Sequence, residues 1–143
     1  MKKAILSVLV SFVAASCGGE PETETIETPT PAAGTVTIVT PMPGTQSGAR
    51  VTVQLSSTVQ ILPAGDLTAG TGHHHLFLDA ELSPAGVPVP TVPGSIVHMG
   101  DASSLYVFEG VAPGQHRLIA VVADGVHVPL QPWVVDTVTF TVN

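Results

Sequence analysis

From residue 35 onward, apolar and polar positions alternate in short runs: "TVTIVT" (35–40), "RVTVQLSS" (50–57), "HHHLFLDA" (73–80), "SLYVFEG" (104–110), "HRLIAVVAD" (116–124) and "DTVTFTVN" (136–143). A period of two is the signature of a β-strand, whose successive side chains point to opposite faces. The runs are rich in Val and Thr, which suit a pleated surface. In the last run Val138, Phe140 and Val142 face one way and Thr137, Thr139 and Thr141 the other, predicting one buried and one wet face. Turn signals ("PMPG", "PAGD", "SPAG", "APGQ") separate the runs. No helical periodicity survives this Gly and Pro punctuation. The pattern predicts an all-β fold, an immunoglobulin-like antiparallel β-sandwich of six to eight strands spanning residues 35–143.

The first residues follow another pattern. In "MKKAILSVLVSFVAASC", Lys2 and Lys3 precede an apolar segment from Ala4 to Val13, then Ala14, Ala15 and Ser16 lead to Cys17. The segment is short for a membrane-spanning helix and fits a signal peptide. It resembles the lipobox of bacterial lipoproteins, with Ala14 where Leu is usual. That resemblance implies removal of residues 1–16 and acylation of Cys17, the only cysteine, with two or three chains and so a durable anchor. The other reading is an ordinary secretory signal that ends near a cysteine, which would leave an unpaired thiol. Residues 17–34, rich in Glu, Thr and Pro, read as a disordered, self-repelling tether. The expected location is the cell envelope. Gly18 stands where some inner-membrane lipoproteins carry aspartate, which favours the outer membrane or periplasmic face.

Charge narrows the partners. Beyond the leader only Arg50 and Arg117 are cationic, against eleven acidic residues. Phosphate recognition depends on Lys and Arg, so nucleic acid is excluded and the membrane would be met through the lipid anchor alone. An envelope protein or a small ligand is the remaining partner class. With no cysteine after residue 17, the domain must be held by an apolar core.

The chemistry worth following is histidine: six residues, three of them consecutive. On a strand His74 sides with Leu76, Leu78 and Ala80 on the core face, while His73 and His75 side with Phe77 and Asp79 on the other. His73 and His75 would be about 7 Å apart at Cα and can chelate one copper or zinc ion. If this strand and the penultimate one are antiparallel neighbours, Asp124 and His127 come to the same pole. His98, in a connection, can reach either pole. The candidate ligands are therefore His73, His75 and His127, completed by His98 or Asp124. Met99 beside His98 is a thioether, a donor that suits copper(I). The alternative is that these imidazoles only bond local carbonyls or fill a polar pocket.

His116 is different. In "APGQHRLIAVVAD" it stands where many sandwich domains have a corner tyrosine, roughly 25 Å from the cluster along an eight-residue strand. It is assigned a structural role, as are His74, Asp79 and Gly72.

An enzyme is not expected. After the leader there is no lysine, no usable thiol and no Gly-x-Ser-x-Gly elbow. The expectation is an exported lipoprotein whose domain binds or supports without catalysis. Envelope metal binding through the histidine cluster is the alternative, and adhesion through exposed sheet edges a third.

Three segments in order, "AGTGHHHLFLDAELSPAGVPVP", "IVHMGD" and "VAPGQHRLIAVVADGVHVPLQPWVVDTVTFTV", resemble the bacterial domain of unknown function 4399 family. The resemblance runs from about Pro63 to Val142. It falls on Gly70, Gly72, His73, His74, His75, Asp79, His98, Gly100, His116, Asp124, His127 and Pro129, and departs at Met99, where an aromatic is usual. It implies an exported sandwich domain and supplies no activity.

Overall fold

The computed structural model describes residues 34–143. The leader (1–16), Cys17 and the tether up to residue 33 lie outside the described residues.

The described chain is all-β. All six alternating runs form strands: β1 (Val36–Thr40), β3 (Val51–Ser57), β5 (Thr71–Leu78), β7 (Leu105–Phe108), β8 (Gly114–Ala123) and β9 (Val135–Val142). Three more complete the set, β2 (Gln46–Ser47), β4 (Gln60–Ile61) and β6 (Ile96–Met99), so the described residues hold nine strands rather than six to eight. One sheet has the order β1-β3-β7; the other runs β2-β9-β8-β5-β4, with β6 also paired to β5. This is the two-sheet order of an immunoglobulin-type sandwich. Pairing is antiparallel except for the two-residue contacts β2–β9 and β4–β5, which are parallel.

The sheets close over a core that includes Val51, Val53, Leu55, Leu76, Leu118, Val122, Val138 and Phe140, all buried. Leu76, Val122 and Phe140 reach it because every second side chain of their strands points inward. The backbone N–H of Ile38 donates to Asp136 Oδ2 at 2.8 Å, which ties β1 to β9 across the sandwich.

The outer face of the larger sheet departs from the expected wet surface. Every residue of β5 is buried. On the outer side Phe77, Ile96, Ile119, Val121 and Ala123 pack with Val89 into a second core. Its cover is the long β5–β6 connection, anchored by Ser95 Oγ donating to Leu78 O and by Val89 N–H donating to His127 O. That segment is rich in Pro and Gly, so it lies over the sheet without joining it as a strand.

A candidate metal centre of four imidazoles

Register fixes three of the imidazoles. β5 and β8 are antiparallel, with His73 opposite Ala123, His75 opposite Val121 and Phe77 opposite Ile119. On its other edge β5 pairs with β6, which sets His75 directly across from His98 and Phe77 across from Ile96. One face of the sheet therefore carries apolar rows and, at one end, His73, His75 and His98. The fourth comes from the turn after β8. Asp124 Oδ1 accepts N–H bonds from Val126 and Val128 at 3.0 and 2.9 Å, and His127 N–H donates to Asp124 O. This tight turn holds His127 at φ 70° and aims its ring over the other three.

One ring nitrogen from each of His73, His75, His98 and His127 lies within 4.8 Å of all the others. The closest contact is His73 Nε2 to His127 Nδ1, 3.1 Å. Ring centroids are 4.5 to 5.6 Å apart over the six pairs; the His75 and His98 rings are stacked, and His127 stands edge-on to the other three. His73 and His75 are buried, whereas His98 and His127 are half-buried.

Burial has an electrical consequence, because desolvation penalises a charged imidazolium. Burial first, and then the neighbouring His98 and His127, bring His73 down from 6.5 to about 4. Burial, and then His73, bring His75 down to about 3. Burial and then His127 also lower His98. At neutral pH these rings hold free lone pairs, the form a metal ion binds. Moreover, His73 Nδ1, both nitrogens of His75 and His98 Nε2 are buried with no hydrogen-bond partner among the described residues. Buried polar atoms are rarely left so. Hydrogen bonding therefore leaves this cluster unexplained. A metal ion between the rings would engage one nitrogen of each.

The family model for DUF4399, a domain of unknown function, matches residues 51–143. The chain belongs to this family. No curated protein and no solved structure matches it. The matched DUF4399 region begins at β3 and contains all four clustered histidines.

Two sequence expectations find a different place in this DUF4399 domain. Asp124 is not part of the imidazole cluster; its Oδ1 accepts from the turn that presents His127. Met99 lies opposite His74 on the inner face and is buried in the core between the sheets, so its thioether points away from His98. Strand alternation decides this, since adjacent residues on β6 face opposite sides.

The histidines assigned elsewhere stay apart from the cluster. His74 faces inward, and its Nδ1 donates to Ser103 O at 3.0 Å. His116 sits at the opposite end of β8, where Nδ1 donates to Asp79 Oδ2 at 2.6 Å and Nε2 to Ala112 O at 2.8 Å. Both nitrogens face acceptors, so the ring is satisfied only as an imidazolium. Accordingly its pKa is raised, chiefly by the bond to Asp79. Asp79 also accepts the Arg117 N–H, joining the ends of β5 and β8.

A Cβ on Gly72 would meet Ala123 O at 2.3 Å, so only glycine lets β5 lie this close to β8 there. A Cβ on Gly100 would fall 2.7 Å from His98 Nε2, so Gly100 leaves room for that ring.

Proposed function

We propose that this protein is a non-catalytic metal-binding lipoprotein of the bacterial cell envelope, carrying one copper or zinc ion on His73, His75, His98 and His127. The observation that carries this reading is the convergence of four imidazoles, two of them buried, with nitrogens of His73, His75 and His98 that meet no hydrogen-bond partner among the described residues. Metal–nitrogen bonds of about 2.0–2.1 Å would join nitrogens spaced like these after small ring rotations. His73 and His75, lowered to about 4 and about 3, offer such a site no competing proton at pH 7. The envelope location rests on the leader and on Cys17, and a tether rich in Glu, Thr and Pro would hold the domain clear of the bilayer.

The test is direct. The purified full chain is stripped with a chelator, and zinc or copper is titrated back while heat release and thermal unfolding are followed. The reading predicts one ion per chain and a higher unfolding temperature with metal. It also predicts loss of both effects in the H98A/H127A double variant. Absence of saturable binding by any of these ions in a folded, stripped chain would sink it.

A further inference from the structure

The arrangement of the four rings says which ion suits them. Four points with six similar separations mark the corners of a tetrahedron. In a square plane two of the six, sharing no corner, must be about 1.4 times longer than the rest, as tetragonal copper(II) or nickel(II) requires. Here the longest separation is His75–His127 at 5.6 Å, and the pair that shares no ring with it, His73–His98, is only 4.7 Å apart. No choice of diagonals yields a square. The backbone enforces this: His75 and His98 are locked opposite each other on β5 and β6, while His127 approaches from the turn above the sheet.

Charge separates the two ions that accept four ligands in a tetrahedron, zinc(II) and copper(I). All four ligands are neutral. Ligating histidines usually pass their second N–H to a carboxylate or carbonyl, which offsets part of the metal's charge. No carboxylate accepts a hydrogen bond from His73 Nδ1 or from either nitrogen of His75 among the described residues. Asp124 is the one carboxylate whose charge acts on His73, and its Oδ1 already accepts two backbone N–H groups. Burying a doubly charged ion costs about four times as much as burying a singly charged one, because the Born cost rises with the square of the charge. One nearby carboxylate balances one positive charge.

We infer that the centre is built for copper(I), a monovalent tetrahedral ion, in preference to zinc(II) or copper(II). This rests on the metal-binding reading above and narrows it. It follows from ring geometry and ligand charge, with no help from Met99. A copper site of this kind holds the cuprous form against oxidation, as expected where copper is carried rather than cycled.

The experiment compares three ions on the full chain. Copper(I) is titrated without oxygen against a chromogenic cuprous chelator, zinc(II) against a chromogenic zinc indicator, and copper(II) by its visible and paramagnetic spectra. The expected result is one copper(I) per chain, bound tighter than zinc(II), with no tetragonal copper(II) spectrum. H127A, altered only in a turn, should lower copper(I) affinity at least tenfold while the β circular dichroism spectrum persists. Tighter binding of zinc(II), or a tetragonal copper(II) complex of higher affinity than copper(I), would overturn the inference and leave metal binding standing. Failure of all three ions to bind would overturn both.

Discussion

His73 Nε2 and His127 Nδ1 face each other at 3.1 Å although 54 positions separate them in the chain. Only one of the two can carry the shared hydrogen, and a metal that took both nitrogens would displace it to the far side of a ring. The same contact joins two parts of the fold, since His73 sits inside strand β5 and His127 on the turn after β8. His127→Ala should therefore lower metal affinity by about one to two orders of magnitude, or about 1.4–2.8 kcal/mol, while the chain still folds, less stable by the loss of the His73 contact. Titration and thermal unfolding of the same variant check this; unchanged metal affinity in a folded variant would mean that His127 serves only the fold.

The two classes of histidine give opposite pH dependences. His73 and His75 fall from 6.5 to about 4 and about 3 on folding, so below pH 6.5 the unfolded chain takes up protons that the folded chain refuses. Stability of the metal-free protein should drop steadily as pH falls from about 6.5 toward 3. His116 is raised instead, so its contribution is complete below pH 6.5 and is lost as pH rises through its folded value. Unfolding midpoints of stripped protein from pH 4 to 8 should show the acid loss in wild type, while His116→Ala removes only the change on the alkaline side. A midpoint highest at pH 4 would contradict the assignment of neutral buried rings.

His116→Ala should cost about 1–2 kcal/mol, the loss of two hydrogen bonds discounted because Asp79 is half exposed. Metal affinity should not change, because the ring lies at the other end of β8. Denaturant unfolding and metal titration separate the two effects, and weakened metal binding in a folded variant would refute the separation.

Two glycines should behave differently on gaining one methyl group. Gly72→Ala sets a Cβ against the backbone carbonyl of Ala123, which cannot move without breaking β5–β8 pairing. A loss of about 3 kcal/mol or more is expected, in the range of severe core changes. Gly100→Ala presses instead on the His98 ring. It should weaken metal binding more than it weakens the fold, as calorimetry and thermal melts would reveal.

Cys17→Ser should move the protein from the membrane fraction to the soluble fraction of bacterial cells expressing the full chain, and labelled fatty acid should no longer be incorporated. Unchanged membrane association would argue against acylation as the anchor.

Much of this molecule can be read without coordinates. Each of the six alternating runs became a strand, and period two correctly divided His73 and His75 from His74. Pairing of the third alternating run with the penultimate one follows from the sandwich topology, which is why His127 could be placed near His73. His98 was less legible. Its strand has only four residues, bounded by Gly94 and Gly100, too short to display an alternation. The cover over β5 was also hidden, because the Pro-rich stretch from 84 to 93 has neither strand nor helix periodicity.

Local alternation, then, determined the main strands and the faces that His73, His74 and His75 take, because these follow from backbone geometry within a single segment. Only the folded chain decided that His98 stands across from His75, that Asp124 shapes a turn while Met99 joins the core, and that a loop buries the imidazole face. Those outcomes depend on register between segments far apart in the chain, and on which surfaces are left to be covered once the sheets have paired. No single segment carries that information.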